Sequence, residues 1–98
     1  LSRYLLTPRA VADIDDIAVY TVEVWGEQQA VKYIRALQER FAWLATNPML
    51  GRSRDEVGPG FRSYLQGSHV IFYEITEGAI AIIGIPHAST DFDIHFSG

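Results

Sequence analysis

The side chains best suited to chemistry crowd into the last third of the sequence. His87, Asp91, Asp93 and His95 follow one another at short spacing, and imidazole with carboxylate is a donor set that zinc or manganese accepts. On an extended segment Asp91, Asp93 and His95 project to one side. The same residues read more plainly as a solvated acidic tail, because the ligand spacing of a dedicated metal site is missing. No metal or other cofactor is expected. A second set, His69 or His87 with Tyr73 or Glu74, has the ingredients of a general acid and base. His69 and Tyr73 share parity along one predicted strand and so share a face, whereas Glu74 points the other way. Against that chemistry stands a packed Tyr73 ring beside a histidine at a sheet edge. The absence of cysteine excludes a thiolate zinc site, a cysteine nucleophile and a disulfide framework. Glycine-rich phosphate loops and nucleophile elbows are also missing. No catalytic residue is assigned.

Charge narrows the classes further. The 98 residues carry 8 Lys and Arg against 12 Asp and Glu, a formal charge of −4 with His neutral. Every basic side chain lies at or before Arg62, and from Ser63 onward the charged residues are Glu74, Glu77, Asp91 and Asp93. A nucleic-acid grip needs Lys and Arg near phosphates, so direct nucleic-acid binding is disfavoured. The longest apolar stretch, Ala79 to Pro86, is far short of the ~20 residues that span a bilayer. No signal-peptide pattern opens the chain. A cytoplasmic protein without a membrane partner is expected, with residues 1–98 forming one domain.

The elements that must position these residues are legible from periodicity. Arg3 to Leu6 reads as a short strand, and Thr7-Pro8 as a helix start in which Thr caps and Pro is pre-set for the first turn. Val11, Ile14, Ile17, Ala18, Thr21, Val24 and Trp25 recur at three- and four-residue steps, the mark of an amphipathic helix. Asp13, Asp15 and Asp16 are assigned to its solvated face. Gly26 stops that helix. A second helix, about Glu27 to Thr46, carries Ala30, Tyr33, Ile34, Leu37, Phe41, Leu44 and Ala45 on one side and ends before Pro48. With almost no loop between them, the two must form an antiparallel hairpin. Trp43 lies off that stripe and is either an exposed aromatic on a partner surface or part of a wide buried face. After a turn-rich connection come three predicted strands, Phe61 to Leu65, His69 to Ile75 and Ala79 to Ile85, the last central because both of its faces are apolar. Pro86 ends it. The predicted fold class is α+β: an N-terminal strand, an antiparallel helical hairpin, then a three-stranded antiparallel meander with the helices on one sheet face.

Six pieces in register then carry a resemblance. Asp13 to Tyr20, Trp25-Gly26-Glu27-Gln28-Gln29-Ala30, Asn47-Pro48-Met49-Leu50-Gly51-Arg52, Gly60-Phe61-Arg62-Ser63, Gly67 to Tyr73, and His87 with Asp91 together resemble the ParE toxins of the ParE/RelE superfamily over nearly the whole chain. The resemblance implies the same hairpin-on-sheet fold and the toxin half of a bacterial type II toxin–antitoxin system. It implies a ParD-like antitoxin as the neutralising partner and DNA gyrase as the target, inhibited by binding rather than by catalysis. On the apolar-groove mode of antitoxin docking, the receiving residues expected here are Trp25, Tyr33 and Trp43, with Arg52, Arg54 and Arg62 facing antitoxin carboxylates. The target-facing candidates are Tyr73, Gly84, His87 and Asp91.

Two departures from the family pattern bear on toxicity. Gly84 stands where the family usually carries Arg, shortly before an aliphatic-aliphatic-His run, and Ala88-Ser89-Thr90 replaces a further basic position. The alternative within the superfamily is a RelE-like ribosome-dependent mRNA endoribonuclease. That chemistry needs a basic sheet surface, and phosphoryl transfer without cationic neutralisation is hard to support. A third reading is a degenerate protein that binds antitoxin without being toxic.

Overall fold

The computed structural model of the chain describes residues 3–97. Its elements are β1 (Tyr4–Leu6), α1 (Pro8–Trp25), α2 (Glu27–Thr46), a 3-10 turn (Pro48–Leu50), β2 (Arg52–Ser53), β3 (Arg62–Gln66), β4 (His69–Thr76), β5 (Ala79–Gly84) and α3 (Phe92–Ser97). One sheet contains all five strands in the order β1-β5-β4-β3-β2. β1 runs parallel to β5, Tyr4 opposite Ile80 and Leu6 opposite Ile82. The remaining pairs are antiparallel. The helical hairpin and the meander stand where periodicity places them. β2 and α3 are additions to the expected α+β fold.

Thr7 joins the first helix to the sheet. Its hydroxyl oxygen accepts from the Ala10 N–H at 3.2 Å as the N-cap, and the hydroxyl lies 3.0 Å from the carbonyl oxygens of both Ile82 and Ile83. Gly26, at φ +91°, ends α1 and begins α2 with no residue to spare. The core is a two-layer contact. Ala10, Ile17, Leu37, Phe41, Leu44 and Ala45 come down from the helices onto Ile71, Tyr73, Ile80, Ile82 and Ile85 of β4, β5 and the residue just beyond.

The buried stripe of α1 differs from the expected one. Ala10, Asp13, Ile17 and Thr21 are the buried positions, while Val11, Val24 and Trp25 are exposed. Asp13 is therefore not on a solvated face. It sits at helical spacing from Ala10 and Ile17, and the sheet beneath supplies it with a donor.

Two irregularities shape the far end of the sheet. Tyr73 pairs with Ile82, but the adjacent Phe72 pairs with Gly84, so Ile83 is an extra residue and β5 bends there, as bulged strands do. Pro86 does not stop the pairing. The Val70 N–H donates to the Pro86 carbonyl at 2.9 Å, the Ala88 N–H donates to the Ser68 carbonyl at 2.8 Å, and His69 lies opposite His87. A proline is tolerated because β1 pairs only as far as Ile82, leaving that edge of the chain with no ladder to satisfy.

Behind the sheet, away from the hairpin, Phe72 stacks edge-on with Phe92 and Phe96, each at 4.9 Å, and Phe61 lies 5.6 Å from Phe96. These rings hold α3. Residues 92–97 are helical rather than extended, so Asp91, Asp93 and His95 do not line up as the metal-ligand reading requires.

Tyr73 is fully buried and uses its hydroxyl twice, donating to the Pro48 carbonyl at 2.7 Å and accepting from the Gly51 N–H at 2.9 Å. A Cβ at residue 51 would lie 2.7 Å from Tyr73 ring carbons, so only glycine lets the loop come this close. Tyr73→Phe keeps the ring but strands a buried N–H and a carbonyl. The expected cost is about 1–3 kcal/mol, read as a lower urea midpoint with an unchanged slope.

Candidate functional site

One face of α1 is left without a neighbour along most of its length. Asp16, Ile17, Tyr20, Thr21 and Trp25 form a wall; Gln29 and Tyr33 of α2 continue it. Opposite stand Ser68 and His69 at the start of β4, then His87, Ser89 and Thr90 after β5, with Ile85 and Pro86 as floor. The space between is an open groove of about 940 Å³. From Asp13 to Trp25 it runs roughly 18 Å at the helical rise per residue, enough for a short helix or an extended segment. Tyr20 is 61% and Trp25 69% exposed, large aromatic surfaces left to water beside an apolar floor.

Asp13 closes the lower end. One carboxylate oxygen, Oδ2, accepts from the Ile85 N–H at 2.8 Å and lies 2.9 Å from His95 Nε2 of α3. A helix, the end of a strand and the C-terminal helix thus meet on a single atom. No residue spacing signals this contact, since 82 positions separate its partners, but the place of Asp13 on the Ala10–Ile17–Thr21 stripe is a signal in the sequence.

At the centre of the groove, Tyr33 Oη lies 2.7 Å from His69 Nδ1 and 3.1 Å from the Gln66 carbonyl oxygen, to which it donates. The His69 and His87 rings meet edge to face at 5.4 Å. Burial, and next the nearby His87, push the His69 imidazole below its ordinary value of 6.5, while Asp13 pulls the other way. A depressed imidazole is neutral at pH 7, so His69 offers a hydrogen bond and a ring edge rather than charge.

The sequence-predicted contact residues divide. Trp25, Tyr33 and His87 line the groove. Arg52 and Asp91 are exposed, and Asp91 Oδ1 accepts from the Ile94 N–H at 3.2 Å at the start of α3. Trp43 is partly buried, stacked on Tyr64 at 5.2 Å with the Arg40 guanidinium 4.6 Å over its ring, away from the groove.

Four other residues have contacts inside the molecule. Arg62 donates to the Gly51 and Met49 carbonyls. Arg54 donates to Ser63 Oγ at 2.8 Å and its guanidinium covers Phe72 and Phe92. Tyr73 is buried under the hairpin. Gly84 is buried too, and a Cβ there would meet Phe96 at 2.7 Å and Asp13 Oδ2 at 3.0 Å. An arginine at this position has no room while α3 is seated, so the glycine and the phenylalanine are matched.

Among the described residues no Lys or Arg lines the groove. The groove is carried on a helical hairpin over a mixed sheet. The family model described as "ParE toxin of type II toxin-antitoxin system, parDE" matches residues 4–92. Toxin ParE1 of Mycobacterium tuberculosis is 43% identical over 93 residues, covering 94% of this chain and 95% of that protein. Toxin ParE1 of Caulobacter vibrioides is 37% identical over 92 residues, with the same coverage. A chain from a structure titled "Chromosomal ParDE TA system from P. aeruginosa" superposes with a TM-score of 0.75 at 24% identity, covering 89% of this chain and 95% of that one, a likeness of fold. The chain belongs to the ParE toxin family. It is a toxin component of a type II toxin–antitoxin system.

Two measurements check the groove's construction. Asp13→Ala leaves the Ile85 N–H without its acceptor and His95 without its carboxylate, and a loss of about 2–3 kcal/mol is expected in denaturant unfolding. His69 gives a pH signature. Its folded value lies below 6.5, so the stability it contributes is fully present above the unfolded value and is lost as pH falls through the folded one. Between about pH 7.5 and 5, the wild-type chain therefore loses more stability than His69→Gln; equal slopes for the two proteins would contradict the assignment.

Proposed function

We propose that this chain is neutralised by a ParD-like antitoxin whose amphipathic segment lies in the groove along α1, and that once released it acts in the cytoplasm by binding DNA gyrase. The observation that carries this reading is the apolar lining of Ile17 in the α1 wall and Ile85 and Pro86 in the floor, flanked by the exposed rings of Tyr20 and Trp25. Contiguous apolar surface of this kind marks protein-binding sites, and aromatic anchors beside a groove are how an amphipathic helix is held. The family of the relatives supports the toxin side of the pair, and the gyrase target follows from the family resemblance.

Nothing in the groove favours RNA cleavage, where a basic surface would be needed. The buried Gly84 also changes what the missing arginine implies. In this chain the position is sealed by Phe96, so a target-contacting role falls to exposed residues such as His87 and Asp91.

Co-expression with a cognate ParD-like antitoxin is expected to yield a stable complex and to restore growth. Trp25→Ala should weaken that complex by about 30-fold, the effect of losing a buried aromatic anchor worth about 2 kcal/mol. Purified free chain should inhibit gyrase supercoiling. Full supercoiling at micromolar protein removes the gyrase target, and ribosome-dependent mRNA cleavage would install the endoribonuclease reading in its place.

A further inference from the structure

The groove has a sign as well as a shape. Its formally charged lining residues are Asp13 and Asp16. Asp13 is satisfied by the Ile85 N–H and His95. Asp16 is exposed, and its carboxylate has no partner among the described residues. One helical turn further along α1 is the ring of Tyr20, a neighbour at i+4 on the same face, 61% exposed. The arginines that were expected to meet antitoxin carboxylates are elsewhere, with Arg54 and Arg62 held by the β2–β3 region.

An open carboxylate beside an exposed aromatic face is a receptor for a cation. A guanidinium stacks flat on such a ring while its N–H groups reach the carboxylate, which an ammonium does less well. An acidic side chain at this place would meet Asp16 with no Lys or Arg in the groove to offset it. From these observations we infer that the antitoxin segment in the groove carries a basic side chain, an arginine by its fit, set between Asp16 and Tyr20, with apolar residues on the floor formed by Ile85 and Pro86. The inference rests on the antitoxin-docking reading and specifies the chemistry of its occupant.

Asp15 provides an internal control, being the exposed adjacent carboxylate that does not line the groove. Asp16→Lys and Asp15→Lys change the net charge equally, and neither removes a contact of the folded chain. With a cognate ParD-like antitoxin as the probe, titration calorimetry at low and high salt should show Asp16→Lys at least tenfold weaker than wild type at low salt. Asp15→Lys should stay within about twofold, and the gap between the variants should narrow as salt screens the pair. Substituting the antitoxin's basic residues one at a time should identify one whose loss is not additive with Asp16→Asn. Wild-type binding with Asp16→Lys unchanged or tighter overturns the inference and leaves antitoxin docking standing. A wild-type chain that does not bind the antitoxin overturns the docking reading and the inference with it.

Discussion

A single carboxylate organises this molecule. Asp13 is a charged residue in the buried stripe of α1, and a charge placed there costs free energy unless it is fully partnered. Its Oδ2 meets that requirement with the Ile85 N–H and His95. Because those partners belong to the end of the sheet and to α3, satisfying Asp13 fixes three parts of the chain relative to one another. The groove floor at Ile85 and Pro86 is held under α1 by this bond. The same contact explains why β5 can deviate after its bulge without fraying, since the backbone N–H that the bend exposes is taken up by Asp13.

The two faces of the sheet solve different problems. On the hairpin side, aliphatic burial makes the core, and the Tyr73 hydroxyl reaches through it to secure the Pro48–Gly51 turn. On the other side, four phenylalanines and the Arg54 guanidinium form a smaller aromatic layer that seats α3. Basic groups are used as mortar there, and the groove is left acidic or neutral.

Much of this architecture was legible in the sequence, for physical reasons. Helices of this length bury a stripe at a period that strands cannot imitate, and Thr7-Pro8 and Gly26 are local signals that need no tertiary context. Tyr33 and Trp25 could be nominated for the groove because aromatic residues at a helix end are visible as such. What was illegible depends on contacts between distant residues. Asp13 looked solvated because its neighbours Asp15 and Asp16 are, and only the Ile85 N–H makes it a buried residue. Arg54 and Arg62 looked available because a sequence does not show where carbonyls point. Residues 91–95 looked extended because the aromatic layer that makes a helix there worthwhile lies on β3 and β4. Gly84 looked like the loss of a functional arginine, and its steric match with Phe96 appears only when α3 is in place.

The groove draws one wall from α1 and its floor and other wall from residues 68–90, the near and far ends of the chain's order of synthesis. Pairing of such distant segments is the slow part of folding, since loop closure precedes any reward. The hairpin is local and can form while the rest is still being made, but it exposes the underside of its core until β5 and residues 85–87 arrive. A partner that recognises the finished groove therefore cannot bind a growing chain in its final mode. The order of folding, and not affinity alone, therefore sets the earliest moment at which the finished groove exists to be recognised.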